Sequence, residues 1–129
     1  MYKYSESSAK KLRSCHPDLQ AVFEKVINHI DCTIIEGHRE KYRQNHLFAT
    51  KFSKVKWPDG KHNTKPSNAL DSAPCPIRWS DRERFFFFAG LVKGIAASMG
   101  IKIRWGGDWD SDNDFKDQRF DDLIHFELL

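Results

Sequence analysis

Leu19, Val22, Phe23, Val26, Ile27 and Ile30 recur at steps of three and four and draw one apolar stripe along residues 17–30. That spacing predicts an amphipathic helix, and Pro17 suits its first turn. The pattern then changes. CTIIEG, residues 32–37, is a short β-branched run closed by glycine and predicts a strand. EKYRQNHLFAT, residues 40–50, predicts a helix. Residues 51–67 are polar and broken by Pro58, Gly60 and Pro66, so they predict a loop. NALDSA, residues 68–73, predicts a short strand.

Ser80 opens SDRE, a capping-box pattern with Glu83. The most apolar run of the chain follows, FFFFAGLVKGIAASMG at residues 85–100, and predicts a long buried helix stopped by Gly100 as its C-cap. It is shorter than the ~20 residues a membrane span needs and carries Lys93. Its Gly90 and Gly94 predict close helix packing. IKIRW alternates as a strand, and IHFELL closes the chain as another. The order of the elements so placed, α-β-α-β-α-β-β, lacks regular βαβ repetition. It points to an α+β fold, a small, mostly antiparallel sheet with flanking helices, in a single domain over residues 1–129.

Composition narrows the class. A chain of 129 residues supports one core but not two. With 10 Phe, 4 Trp and 3 Tyr to bury, it is not a disordered chain. A net charge of +3 without a clustered basic stripe argues against nucleic-acid binding. Cys15, Cys32 and Cys75 are odd in number and widely spaced, which excludes a disulfide framework and a cysteine zinc finger and suits a reducing compartment. MYKYSESSAKK has no apolar stretch after its charges, so no secretory signal is expected. Neither a glycine-rich phosphate loop nor a G-x-S-x-G elbow occurs.

Candidate chemistry lies in two stretches. In KHNTKPSNALDSAP, His62 precedes a turn and Asp71 follows on a predicted strand. In FDDLIHFELL, His125 and Glu127 are two apart and share a strand face, with Asp122 at the strand entrance. Were the two strands to pair, His62, Asp71 and His125 would converge. Two imidazoles and one carboxylate make a catalytic zinc set that leaves a position open for water, and Asp122 is placed to act as general base. On spacing alone the same residues read more readily as a surface histidine, a turn-capping aspartate and a hydrogen-bonded strand histidine.

Together the two stretches resemble the zinc peptidase family of D-alanyl-D-alanine carboxypeptidases and L-alanyl-D-glutamate endopeptidases, in particular its small phage endolysin branch. The histidine, turn and Ala-x-Asp of that family appear as His62 and Ala69 to Asp71. Its acidic residue, two spacers and histidine followed by x-Glu appear as Asp122, His125 and Glu127. Its early Gly-x-Arg appears as Gly37 to Arg39, and GIKIRWGGDW resembles the stretch before its last strand. The chain departs from the usual pattern in having Gly60 where the family carries Ser, and a longer turn containing Pro66 and Ser67.

The resemblance implies that zinc is bound by His62, Asp71 and His125, and that Asp122 is the general base. Arg39 would hold substrate and stabilise charge on the scissile carbonyl. The implied substrate is the peptide stem of bacterial peptidoglycan, cut at the L-alanyl-D-glutamate bond. The enzyme would be a monomer without stable membrane association. It would accumulate in the host cytoplasm and reach the cell wall, in the periplasm, through a pore made by a separate protein. A carboxypeptidase trimming terminal D-Ala and a non-catalytic wall-binding module are the rival readings.

A second candidate site is the acidic loop at residues 108–117. Asp108, Asp110, Asp112, Asp114 and Asp117 alternate as in a calcium loop, although the EF-hand glycine and glutamate are missing. A regulatory Ca2+ there competes with a solvated acidic loop. Cys75 reads as a buried thiol, Trp105 as core, Trp109 as core or cleft wall, and His38 as a surface residue.

Overall fold

The structure is a computed structural model that describes residues 1–116 and 121–129. Helices α1 (Glu6–Arg13) and α2 (Pro17–Val26) lead into strand β1 (Cys32–Glu36). Helix α3 (Lys41–Ala49), a 3₁₀ turn at Lys61–Asn63 and strand β2 (Ala69–Pro74) follow. Helix α4 (Arg82–Ser98) then precedes the closing strands β3 (Ile103–Trp105) and β4 (His125–Leu128). The sheet runs β1-β2-β4-β3, with every neighbouring pair antiparallel. The expected α+β architecture is therefore observed, with one helix, α1, ahead of the elements that the pattern places.

The apolar stripe of α2 explains where the core sits. Leu19, Val22, Phe23 and Val26 are fully buried, and α2 packs on α4, which lies over β2 and β3. Leu70 of β2 pairs in register with Phe126 of β4, and Trp105 of β3 pairs with Phe126 in turn. Phe126 meets the rings of Phe23 and Phe88 edge-on at 5.6 and 6.0 Å. Each such buried side chain stabilises the fold by about 1.5–3 kcal/mol. Because side chains alternate along a strand, the neighbouring pair Asp71 and His125 faces the other way.

Two local expectations differ from the structure. The N-cap of α4 is Asp81, without a side-chain capping bond, so Ser80 does not build a capping box with Glu83. The helix is amphipathic rather than buried throughout. Phe85 and Phe88 are buried while Phe87 is exposed, and Gly90 and Gly94 look onto open space instead of a packed helix. Apolar residues outnumber core positions on α4, so its sequence suggests more burial than the helix has. Gly100 does end the helix in the left-handed conformation, at φ +72°. All three cysteines are free thiols. Among the described residues no helix is long and apolar enough to cross a membrane.

Candidate metal centre

The site follows from the sheet register. Antiparallel pairing of β2 and β4 sets Asp71 directly opposite His125. The 3₁₀ turn brings His62 to the same point, because the His62 carbonyl accepts from the Arg39 backbone N–H at 2.8 Å. His62 Nε2, His125 Nδ1 and Asp71 Oδ1 then form a triangle with all three sides 3.3 Å. All three residues are buried.

Hydrogen bonds behind the triangle fix which ring atoms face its centre. His62 Nδ1 donates to the Gly37 carbonyl at 2.8 Å, which leaves Nε2 with its lone pair inward. His125 Nε2 donates to Glu127 Oε1 at 2.8 Å, which leaves Nδ1 inward. Asp71 turns Oδ1 to the histidines, while its Oδ2 accepts from Arg39 Nη2 at 2.8 Å. Every outer atom has a protein partner and every inner atom is a donor to a cation, the arrangement found around ligated histidines. The dimensions fit zinc as well, since three corners of a tetrahedron with bonds of ~2.0–2.1 Å lie about 3.3–3.4 Å apart.

The electrostatics follow from this crowding. Burial alone would raise the Asp71 carboxyl, but the facing charge of His62 and the hydrogen bonds of both imidazoles outweigh it. They hold Asp71 well below the usual carboxylate range. Burial would lower His125, yet its bonds to Asp71 and Glu127 push it up to about 9. Glu127 is desolvated too, and His125 with Arg104 nevertheless holds it at about 2. Asp122 is raised, by burial first and by the Asp71 charge second.

Two glycines make this approach possible. A Cβ on Gly37 would strike the Lys11 carbonyl and the Ser14 hydroxyl. One on Gly106 would strike the Asp122 backbone. Gly106 exchanges backbone bonds with both Asp122 and His125, each at 2.8 Å, which holds Asp122 at the mouth of the site.

The triangle opens into a cleft of about 220 Å³ lined in part by Arg39, His62, Trp109, Asp122, His125 and Glu127. All five residues singled out from the sequence thus meet: His62, Asp71 and His125 at the centre, Asp122 and Arg39 beside it. Arg39 is partly committed, with Nη2 on Asp71 and Nη1 3.4 Å from Gln44 Oε1. Trp109 forms cleft wall, its ring 5.4 Å from that of His125. Trp105 is core. His38 is tied to the Thr64 carbonyl and to Glu40, and Cys75 is half-buried rather than buried.

Three supporting residues carry no signal that singles them out in the sequence. Arg104, opposite Glu127 in the β3–β4 register, pairs with Glu127 Oε2 at 2.9 Å. Glu36, placed opposite Asp71 by a bulge in β1, pairs with Arg43 at 2.7 Å and lies 3.8 Å from Arg39. Gln44 is the one buried residue of α3. A lone amide among exposed charges offers no periodic pattern.

In the acidic loop, Asp108, Asp110 and Asp112 bring one oxygen each within 4.8 Å of the others. Asp108 is raised, chiefly by burial, although its Oδ2 accepts from the Asn113 N–H at 3.0 Å. Asp110 and Asp112 are exposed, and exposed carboxylates gather in this way without an ion; nothing in the geometry identifies calcium. Asp117, the end of the expected calcium loop, lies outside the described residues.

Known proteins with the same features bear on what such a site is for. The chain is 31% identical over 123 residues to the L-alanyl-D-glutamate peptidase of Escherichia phage T5, an alignment spanning 91% of this chain and 88% of that protein. Its fold superposes on the crystal structure of the Serratia marcescens L-Ala D-Glu endopeptidase ChiX with a TM-score of 0.78. That match covers 99% of this chain and 91% of the other at 24% identity, a likeness of fold. Over residues 1–129 the sequence also matches the family described as phage L-alanyl-D-glutamate peptidase. With its full length matched and a close curated relative, this chain belongs to the phage L-alanyl-D-glutamate peptidase family.

Proposed function

We propose that residues 1–129 form one catalytic domain, a zinc-dependent peptidase that hydrolyses the L-alanyl-D-glutamate bond in the peptide stems of bacterial peptidoglycan. The observation that carries this reading is the buried 3.3 Å triangle of His62, Asp71 and His125, with each ligand's outer atom already bonded. Family membership supports the bond.

Zinc held at the triangle supplies Lewis acidity, which polarises the scissile carbonyl and brings the pKa of water towards ~7. The remaining work belongs to the chain. Asp122, desolvated and raised, takes a proton from the attacking water and returns it to the amine as the C–N bond breaks. Arg39 holds Asp71 in its single-oxygen orientation, and its remaining edge lines the cleft, where it faces negative charge developing on the carbonyl oxygen. Glu127 keeps the His125 Nδ1 lone pair directed inward.

The enzyme acts as a monomer. It waits in the host cytoplasm until a separate pore-forming protein gives it access to the wall, and phage-induced lysis follows. Mass spectrometry of digested sacculi tests the reading. New L-alanyl carboxyl termini and D-glutamyl amino termini are expected, with one zinc per chain. Free D-alanine as the product would reassign the chain to carboxypeptidase chemistry. Intact stems would leave a wall-binding module.

A further inference from the structure

Beyond α3 the chain builds something the metal does not need. Lys51 adopts φ +67°, a left-handed conformation unusual for a non-glycine residue. The Phe52 and Ser53 N–H groups both return to the Leu47 carbonyl, at 2.9 and 3.0 Å. This turn places Phe52, 81% exposed, and Val55, 42% exposed, along the wall of the cleft that holds His62 and His125.

The segment has no regular secondary structure, yet it is pinned. Gln44, 1% exposed, donates through Nε2 to the Ser53 hydroxyl at 2.9 Å and to the Val55 carbonyl at 2.7 Å. Its Oε1 accepts from Asn63 at 3.2 Å and faces Arg39 at 3.4 Å. One buried amide therefore ties the apolar wall to the turn that carries His62. An exposed aromatic gains nothing for the core, so a left-handed turn and a buried polar hub that hold one on the wall of the cleft point to a contact with what enters it.

We infer that Phe52 and Val55 are a specificity subsite that receives the methyl group of the alanyl residue on the acyl side of the scissile bond, and that Gln44 is its positioning residue. The inference rests on the peptidase reading above. Across that bond the alanyl methyl is the one apolar side chain, because its neighbour carries a carboxylate. An apolar lip on the wall of the same cleft selects the first and offers nothing to the second.

The test uses the full zinc-loaded chain and two soluble probes, an N-acetyl-L-alanyl-D-glutamyl peptide and its N-acetyl-glycyl analogue. Phe52→Ala should raise KM on the alanyl probe about fourfold, the worth of one buried methyl, with the loss falling on KM rather than kcat. On the glycyl probe the same variant should match wild type. Gln44→Glu keeps the acceptor for Asn63 but cannot donate to Ser53 or Val55. It should reproduce the alanyl-specific KM rise with zinc content unchanged. Combined with Phe52→Ala it should add nothing.

Equal penalties on both probes, an unchanged KM, or a loss seen on sacculi but not on the peptide would each overturn the subsite. Because Phe52 is exposed, its variant decides the matter even if Gln44→Glu fails to fold. A wild-type chain that cuts neither the alanyl probe nor sacculi would overturn the peptidase reading and the subsite with it, and one that cuts sacculi but leaves the alanyl probe intact would overturn the subsite alone. Cleavage by wild type with an indifferent Phe52→Ala would overturn the subsite alone.

Discussion

Replacing Glu127 by glutamine changes one atom and isolates the support behind the metal. Glu127 Oε1 accepts the His125 Nε2 proton at 2.8 Å and Oε2 accepts from Arg104 at 2.9 Å, in a side chain only 4% exposed as a residue. A hydrogen bond to a charged acceptor contributes roughly 1.5–3 kcal/mol and a neutral one roughly 0.5–1.5. Glu127→Gln should therefore cost about 1–2 kcal/mol in holding His125 with Nδ1 inward. At about 1.4 kcal/mol per tenfold, zinc should bind roughly 5–30-fold more weakly, consistent with the ~10–100-fold typical of partners behind a metal ligand. The broken pair with Arg104 adds less than about 1 kcal/mol, because that guanidinium is a third exposed and water screens it. Competition against a chromogenic chelator measures the affinity, with circular dichroism checking that the variant is folded. A folded variant that binds zinc within about twofold of wild type would show that the Glu127–His125 bond does not orient the ligand, and would refute the tautomer assignment.

Asp122→Asn should retain zinc while peptidoglycan digestion falls about a hundredfold or more; unchanged digestion removes Asp122 from the reaction. Arg39→Ala leaves Asp71 Oδ2 without its donor and should weaken zinc about tenfold as well as slow turnover. Tight zinc with slow turnover would instead confine Arg39 to the carbonyl. In the metal-free protein, His125 is more basic folded, at about 9, than unfolded, at 6.5, so its contribution is whole below pH 6.5 and is lost as pH rises through about 9. Glu127, at about 2 against 4.5, contributes above pH 4.5 and loses that contribution as pH falls towards about 2. The Tm of the chelated protein should therefore peak between pH 4.5 and 6.5 and fall on the alkaline side. Added zinc, which needs unprotonated imidazoles, should stabilise increasingly there. A chelated Tm that is flat from pH 6.5 to 9 would contradict the His125 assignment.

The parts of this fold that are legible in the sequence are those governed by periodicity. The α2 stripe, the alternation of β4 and the order of elements are local patterns, and the ligand motifs sit at fixed offsets within them. Long-range polar pairing is not legible. Arg39 and Asp71 are 32 residues apart, and no local pattern in either segment announces that they meet. Arg104 finds Glu127 through strand register alone. The start of α4 is ambiguous because Ser80 and Asp81 are both competent caps, and the backbone chooses the second. The lip at Phe52 leaves no mark in composition, since its left-handed residue is lysine rather than glycine.

The pairing of Asp71 with His125 sits one step from that of Leu70 with Phe126. A slip of β4 against β2 by a single position would turn the His125 ligand into the hydrocarbon and Phe126 onto the polar face of the site. Greasy side chains on one surface of the sheet thus proofread the coordination chemistry on the other, before any ion arrives. The nascent chain needs no template for its cofactor, and an enzyme stripped by a chelator should regain full activity on simple readdition, without a refolding step.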